Sequence, residues 1–146
     1  MYSHLLVIHL QKKKMKLEEI EKLLKDRRQT YYSDFKKNIT GSRSLQPLIV
    51  ENIESGKNYR LVSLLKYIKA LDLNLYANNI RIEELNDLGI SVKNYRKQNQ
   101  YTQFDMMIKC QFNPNKIIRL EKGQGSRNTL KTICDIFPDF ELEIKE

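Results

Sequence analysis

The sequence predicts an all-α chain built from two tandem helical bundles, each followed by a short strand. Three observations carry that expectation. Gly and Pro together fill only 8 of 146 positions while apolar residues make up 40%, a balance that favours helices over a turn-rich β architecture. Apolar residues recur at three- and four-residue spacing through most of the chain, as the buried stripe of an amphipathic helix requires. One string also occurs twice, 67 residues apart: Gln46-Pro47-Leu48-Ile49-Val50-Glu51-Asn52-Ile53-Glu54-Ser55-Gly56 and Asn113-Pro114-Asn115-Lys116-Ile117-Ile118-Arg119-Leu120-Glu121-Lys122-Gly123. Self-similarity at a fixed offset marks a duplicated unit.

The N-terminal stretch is read first. Met1–Leu10 suits either a short strand or an extra helix, and residues 1–16 carry four Lys and no acid, so they are expected to form a basic arm. The first repeat is placed at 17–79. Leu17–Arg28 is a helix with Leu17, Ile20, Leu23 and Leu24 on one stripe. Tyr31–Lys37 is a short second helix, and Ile39–Ser44 fills an enlarged turn, four residues longer than its counterpart in the second repeat. The Pro-containing string follows. A polar residue before Pro is a helix start, because Pro at the first helical position gives up no hydrogen bond. Val50 and Ile53 form its inward stripe, and Gly56 supplies the left-handed residue that ends it. Leu61–Leu71 closes the bundle, and the alternating Leu73–Tyr76 reads as a strand.

The second repeat, 80–146, repeats that order. Residues 84–97 are helical, with Leu88, Val92 and Tyr95 inward. Thr102 caps the next helix with Asp105 three residues on, and Met106, Met107 and Cys110 form its buried stripe. A tight turn at Gln111-Phe112 leads to Asn113-Pro114, whose helix turns Ile117 and Leu120 inward. Asn128–Phe137 is the closing helix, with Leu130, Ile133 and Cys134 inward and Pro138 as its stop, and Phe140–Ile144 alternates like a strand.

These residues resemble the helix-turn-helix family of phage repressors and Cro, the Xre family. The second copy matches better, with Thr102-Gln103 and Met106-Met107 where the family has T-Q-x-x-L-A, then Asn113-Pro114 and Leu120-Glu121-Lys122-Gly123. The family pairs an Arg of the first helix with the Glu ending the third. Arg96 lies at that spacing before Glu121, and Lys25 takes the corresponding place against Glu54 once the longer turn is allowed for. The resemblance covers residues 17–75 and 84–137. Met107 and Lys36 replace the small Ala of the family's second helix, and Gln111 replaces its turn Gly.

The resemblance implies sequence-specific binding of double-stranded DNA and a transcriptional regulator. The family lays its third helix in the major groove, and dimers address half-sites about one helical turn apart. In copy two the outward residues of that helix are Asn115, Lys116 and Arg119. Asn suits adenine, and Arg or Lys suits guanine. In copy one the same positions are Leu48, Ile49 and Asn52, which would meet thymine methyls and adenine or else pack on protein. Phosphate contacts are expected from Gln103, Lys122, Gln124, Ser126 and Arg127, and in copy one from Arg43, Lys57, Asn58, Tyr59 and Arg60.

Charge agrees with a polyanionic partner. The chain is +8, and residues 89–134 hold 9 basic and 2 acidic side chains. With two reading heads, one chain would span two half-sites alone or form a homodimer through its strands. The alternative is an antitoxin-like or adaptor module that uses one copy to bind a protein partner, and a third reading is a binder driven by charge alone. His4 and His9 stand alone in the arm, and no nucleophile set, phosphate-binding loop or metal spacing appears, so neither catalysis nor a cofactor or metal is expected. The densest apolar run, Leu5–Leu10, is too short to span a bilayer. Cys110 and Cys134 are unpaired by spacing and read as reduced core residues, pointing to a cytoplasmic protein with no membrane partner.

Overall fold

A computed structural model describes residues 14–31 and 45–146. The expectation of an all-α chain is wrong. Among the described residues seven helices are joined by a three-stranded antiparallel sheet, so the fold is mixed α/β. The order is α1 (Leu17–Tyr31), α2 (Pro47–Glu54), α3 (Leu61–Ala70), β1 (Asn74–Ala77), β2 (Ile80–Ile82), α4 (Leu85–Gln98), α5 (Gln103–Cys110), α6 (Pro114–Glu121), α7 (Arg127–Ile136) and β3 (Leu142–Lys145).

Sequence patterning explains the helices. Leu17, Ile20, Leu23 and Leu24 are buried along α1, and Leu88, Val92 and Tyr95 along α4. Thr102 and Asp105 form a reciprocal capping box at α5, each accepting the other's backbone N–H, at 3.0 and 2.8 Å. Asn113 caps α6 by accepting the backbone N–H of Asn115 at 3.1 Å. Met106 and Cys110 are buried as expected, as are Leu130 and Ile133 on α7, but Met107 and Cys134 are only half-buried. Gly56 and Gly123 take the left-handed conformation after α2 and α6, at φ 69° and 81°.

Other expectations need correction or fall outside the described residues. Tyr31 ends α1 instead of opening a second helix; residues 32–37, Arg43, the rest of the 39–44 turn, and His4 and His9 lie outside the described residues. The expected four-residue enlargement of that turn falls outside the described residues as well. From the end of the first helix to the helix-starting Pro is 16 residues in both halves, Tyr31 to Pro47 and Gln98 to Pro114.

The sheet comes from β1 and β3, which the sequence marked, and from β2, which it did not. Asn78 and Asn79 both hold positive φ, 48° and 66°, between Ala77 and Ile80. That is the two-residue hairpin turn whose twist suits adjacent strands, and Asn tolerates it best after Gly. The order is β2-β1-β3, and Met15 makes one further antiparallel bridge to Leu142.

The sheet maps onto itself under the 67-residue repeat. Tyr76 of β1 stands opposite Glu143 of β3, its own repeat equivalent. The Met15–Leu142 bridge is the equivalent of the Ile82–Leu75 pair. A second contact maps onto itself at an offset of 66: Arg60 and Ser126, the N-cap residues of α3 and α7, bridge each other, with Leu61 N–H donating to Gly125 at 3.1 Å and Arg127 N–H to Tyr59 at 2.8 Å. The repeats therefore meet about an approximate two-fold axis, and their buried residues form one continuous core.

Candidate nucleic-acid interface

Helix α6 is held along its buried side and at its C-terminus. Ile117 and Leu120 are buried beneath it. At its C-terminus Arg96 grips Glu121 with two hydrogen bonds, Nε to Oε2 at 2.8 Å and Nη2 to Oε1 at 3.0 Å, and donates to the Tyr101 carbonyl at 3.1 Å. Such a bidentate pair fixes direction as well as distance. Gln103 donates to the same Glu121 carboxylate at 3.1 Å, so its amide N–H is spent on joining α5 to α6. Beneath this lock, α4 passes close to the end of α6 at Gly89. A Cβ there would lie 2.6 Å from the Glu121 carbonyl oxygen and 2.7 Å from that of Leu120.

The side of α6 away from the core exposes Asn115, Lys116 and Arg119. Lys116 sits 5.5 Å from the Phe112 ring centre, and Arg119 reaches the Gln124 side chain at 3.4 Å. A groove runs beside them, lined by Arg60, Lys116, Arg119, Gln124, Ser126 and neighbouring apolar residues, with no carboxylate among its lining side chains. Lys122 and Gln124 are exposed at the end of α6, and Ser126 is half-buried. An acid-free groove beside a cation-bearing helix face attracts an anion.

Two expected phosphate contacts are ruled out by burial. Arg127 is 8% exposed and Tyr59 is likewise buried. Arg127 donates twice to Glu21, from Nε and Nη2, each at 3.0 Å, and the Tyr59 hydroxyl donates to Glu21 at 2.6 Å. Glu21 itself is 3% exposed. This triad ties α1 of the first repeat to α7 of the second, and its charge is consumed inside the protein. Burial and the neighbouring Glu21 carboxylate raise the Tyr59 phenol far above its ordinary value.

Copy one is built alike but faces outward differently. Its structural pair is Arg28–Glu54, not Lys25–Glu54: Arg28 holds both carboxylate oxygens, with Nη2 to Oε1 at 2.8 Å, and the Tyr67 hydroxyl donates to the same group. Lys25 is exposed. The first helices of the two repeats are related by an offset of 68, which sets Arg28 against Arg96, Glu21 against Gly89 and Leu17 against Leu85. Leu48 is 65% exposed on α2, whereas Asn52 is half-buried and Ile49 packs against the core. Lys57, Asn58 and Arg60 are exposed after α2, and the Asn58 side chain accepts the Asn128 N–H at 3.1 Å.

Burial pushes the Cys110 thiol up to about 11 and the Cys134 thiol up to about 12, so both are protonated at neutral pH and unsuited to nucleophilic work. Among the described residues no group of three or more His, Cys, Asp or Glu is placed to hold a metal ion, and no helix is long and apolar enough to cross a membrane. Searches of family models, curated proteins and solved structures find no match to this chain.

Proposed function

We propose that the chain binds double-stranded DNA in a sequence-specific way and acts as a transcriptional regulator of the Xre type, with α6 as a recognition helix. One observation carries the reading: Asn115, Lys116 and Arg119 stand exposed on a short helix whose opposite side and C-terminus are locked, beside a groove lined by cations and no acids. Rigid presentation matters because base readout depends on bidentate geometry, and each good pair is worth about 1–3 kcal/mol of discrimination. Lys122, Gln124, Ser126, Lys57, Asn58 and Arg60 surround this face as phosphate contacts, supplying affinity and register but no sequence preference.

The test separates the two kinds of contact. Neutralising roughly 5–8 phosphates gives a log–log salt slope near −0.9 for each. Arg119→Ala relaxes preference at one or two positions, whereas Lys122→Ala weakens all sequences alike and flattens the slope by about one phosphate. Equal loss on every sequence for both variants refutes base reading by Arg119. A protein-binding adaptor is the second reading, favoured by Leu48 on α2 and by Phe104 and Ile108, exposed one turn apart on α5. A stoichiometric protein partner that protects Leu48 or Phe104, with no DNA selectivity, decides for it.

A further inference from the structure

We infer that the target is a non-palindromic duplex site with two chemically unlike half-sites, filled by a single chain. The inference rests on the DNA-binding reading above and adds the class of site.

Two contacts map onto themselves under the repeat, the Tyr76–Glu143 strand pair and the Arg60–Ser126 bridge. The second lies in the loops that directly follow α2 and α6. An approximate two-fold axis at those loops sets α2 and α6 in equivalent relation to it, as the two reading helices of a symmetric dimer stand. The edges of the sheet are equivalent too, since Met15 completes it on one side as Ile82 does on the other. The pairing that a dimer makes between subunits is made here within one chain.

The two heads are not alike. Leu48 replaces Asn115, Ile49 replaces Lys116 and Asn52 replaces Arg119. An α6 head bearing Asn, Lys and Arg suits purine edges, guanine above all, while an exposed Leu suits the thymine methyl. The axis is broken a second time beneath the heads. Arg127 is consumed by Glu21, but the equivalent places on the other side hold the buried Leu61 and Gly89, while Arg60 lies exposed in the groove beside Lys116 and Arg119. Cationic contact is thereby concentrated on the α6 half. A palindrome offers both heads the same bases and satisfies only one.

The experiment is selection from a random duplex library about two helical turns long, using the full chain, followed by sedimentation of the chain on the selected duplex. The expected motif has two unlike blocks one helical turn apart, one guanine-bearing and one thymine-bearing, with one chain per duplex. Duplexes symmetrised to carry either block twice bind at least tenfold more weakly. Leu48→Gln, on an exposed position, changes preference in the thymine block alone, and Arg119→Ala in the other alone, with circular dichroism unchanged for both. An inverted repeat as the selected motif, two chains per duplex, or Leu48→Gln without effect on preference overturns this inference while leaving DNA reading intact. A library that yields no motif overturns the DNA reading itself.

Discussion

Arg127→Met tests whether the second repeat is clamped to the first by a buried charge. The substitution keeps a long apolar stem and removes the guanidinium that gives Glu21 two of its hydrogen bonds, at 3.0 Å each. Glu21 is then left 3% exposed with the Tyr59 hydroxyl as its remaining side-chain donor. Removing one partner of a buried ion pair costs about 3–5 kcal/mol, because the other charge stays desolvated. For a chain of this length that corresponds to a fall in Tm of about 10–15 °C. The triple variant Glu21→Leu, Tyr59→Phe and Arg127→Met separates an uncompensated charge from lost packing. A buried pair exchanged for apolar groups of similar size is near neutral or stabilising, and Tyr59→Phe avoids an orphaned hydroxyl that would cost about 1–3 kcal/mol. Urea unfolding with thermal scans reads both proteins. If Arg127→Met loses less than about 1 kcal/mol, or the triple variant is as unstable as the single one, the clamp is not electrostatic.

Three further outcomes follow from the same contacts. Gly89→Ala gains about 1 kcal/mol of helix propensity but sets a Cβ 2.6 Å from the Glu121 carbonyl. Overpacking of about 1–3 kcal/mol outweighs that gain, so urea unfolding shows a net loss, and a net gain refutes the close crossing. Gln111→Gly stabilises by about 0.5–1 kcal/mol, because Gln111 holds φ 55° and ψ 41° after α5 and the left-handed region costs an L-residue about 1–2 kcal/mol, partly offset by the entropy of Gly; unchanged stability in the same assay counts against it. Burial raises the phenol pKa of Tyr59, Tyr67 and Tyr95, with the Glu21, Glu54 and Asp139 carboxylates adding to it. A raised folded value means the stabilisation is complete below the unfolded pKa near 10 and is lost as pH climbs above it, so phenolate absorbance from these three appears only with unfolding; reversible titration near pH 10 with the fold intact refutes their burial.

Where periodicity was strong, the sequence was informative. The stripes of α1, α4 and α7 and the caps of α5 and α6 stand where apolar spacing and Thr102, Asp105, Asn113 and Pro114 put them. The hairpin was missed because Asn78-Asn79 lacks the Gly that usually announces such a turn, and β2 is only three residues long. Arg28 was missed because the offset between repeats is 68 in the first helix and 67 in the third. An offset of 71 in the first helix, four more than in the third, went with the enlarged turn and set the ion pair at Lys25. The burial of Arg127 had no local signal at all. Its partner Glu21 lies 106 residues away, and neither the charge of a segment nor helical spacing tells an Arg bound inward from one facing solvent. The net charge of block 89–134 therefore overstated the cations available on the surface by one.

The same pair shows why the repeats could diverge. In a symmetric dimer every substitution appears on both sides of the axis, so the Glu21–Arg127 pair would occur twice. Joining the copies in one chain lifts that constraint. Glu21 neutralises Arg127 on one side, while Gly89 and Leu61 hold the equivalent places on the other, where Gly89 lets α4 press against the backbone of α6. The Glu21–Arg127 pair clamps the repeats together where α1 meets α7, while Arg60 keeps its charge in the groove that carries Lys116 and Arg119. Stability is drawn from the first repeat's side of the axis and surface charge is kept on the second's, which no pair of identical subunits could arrange.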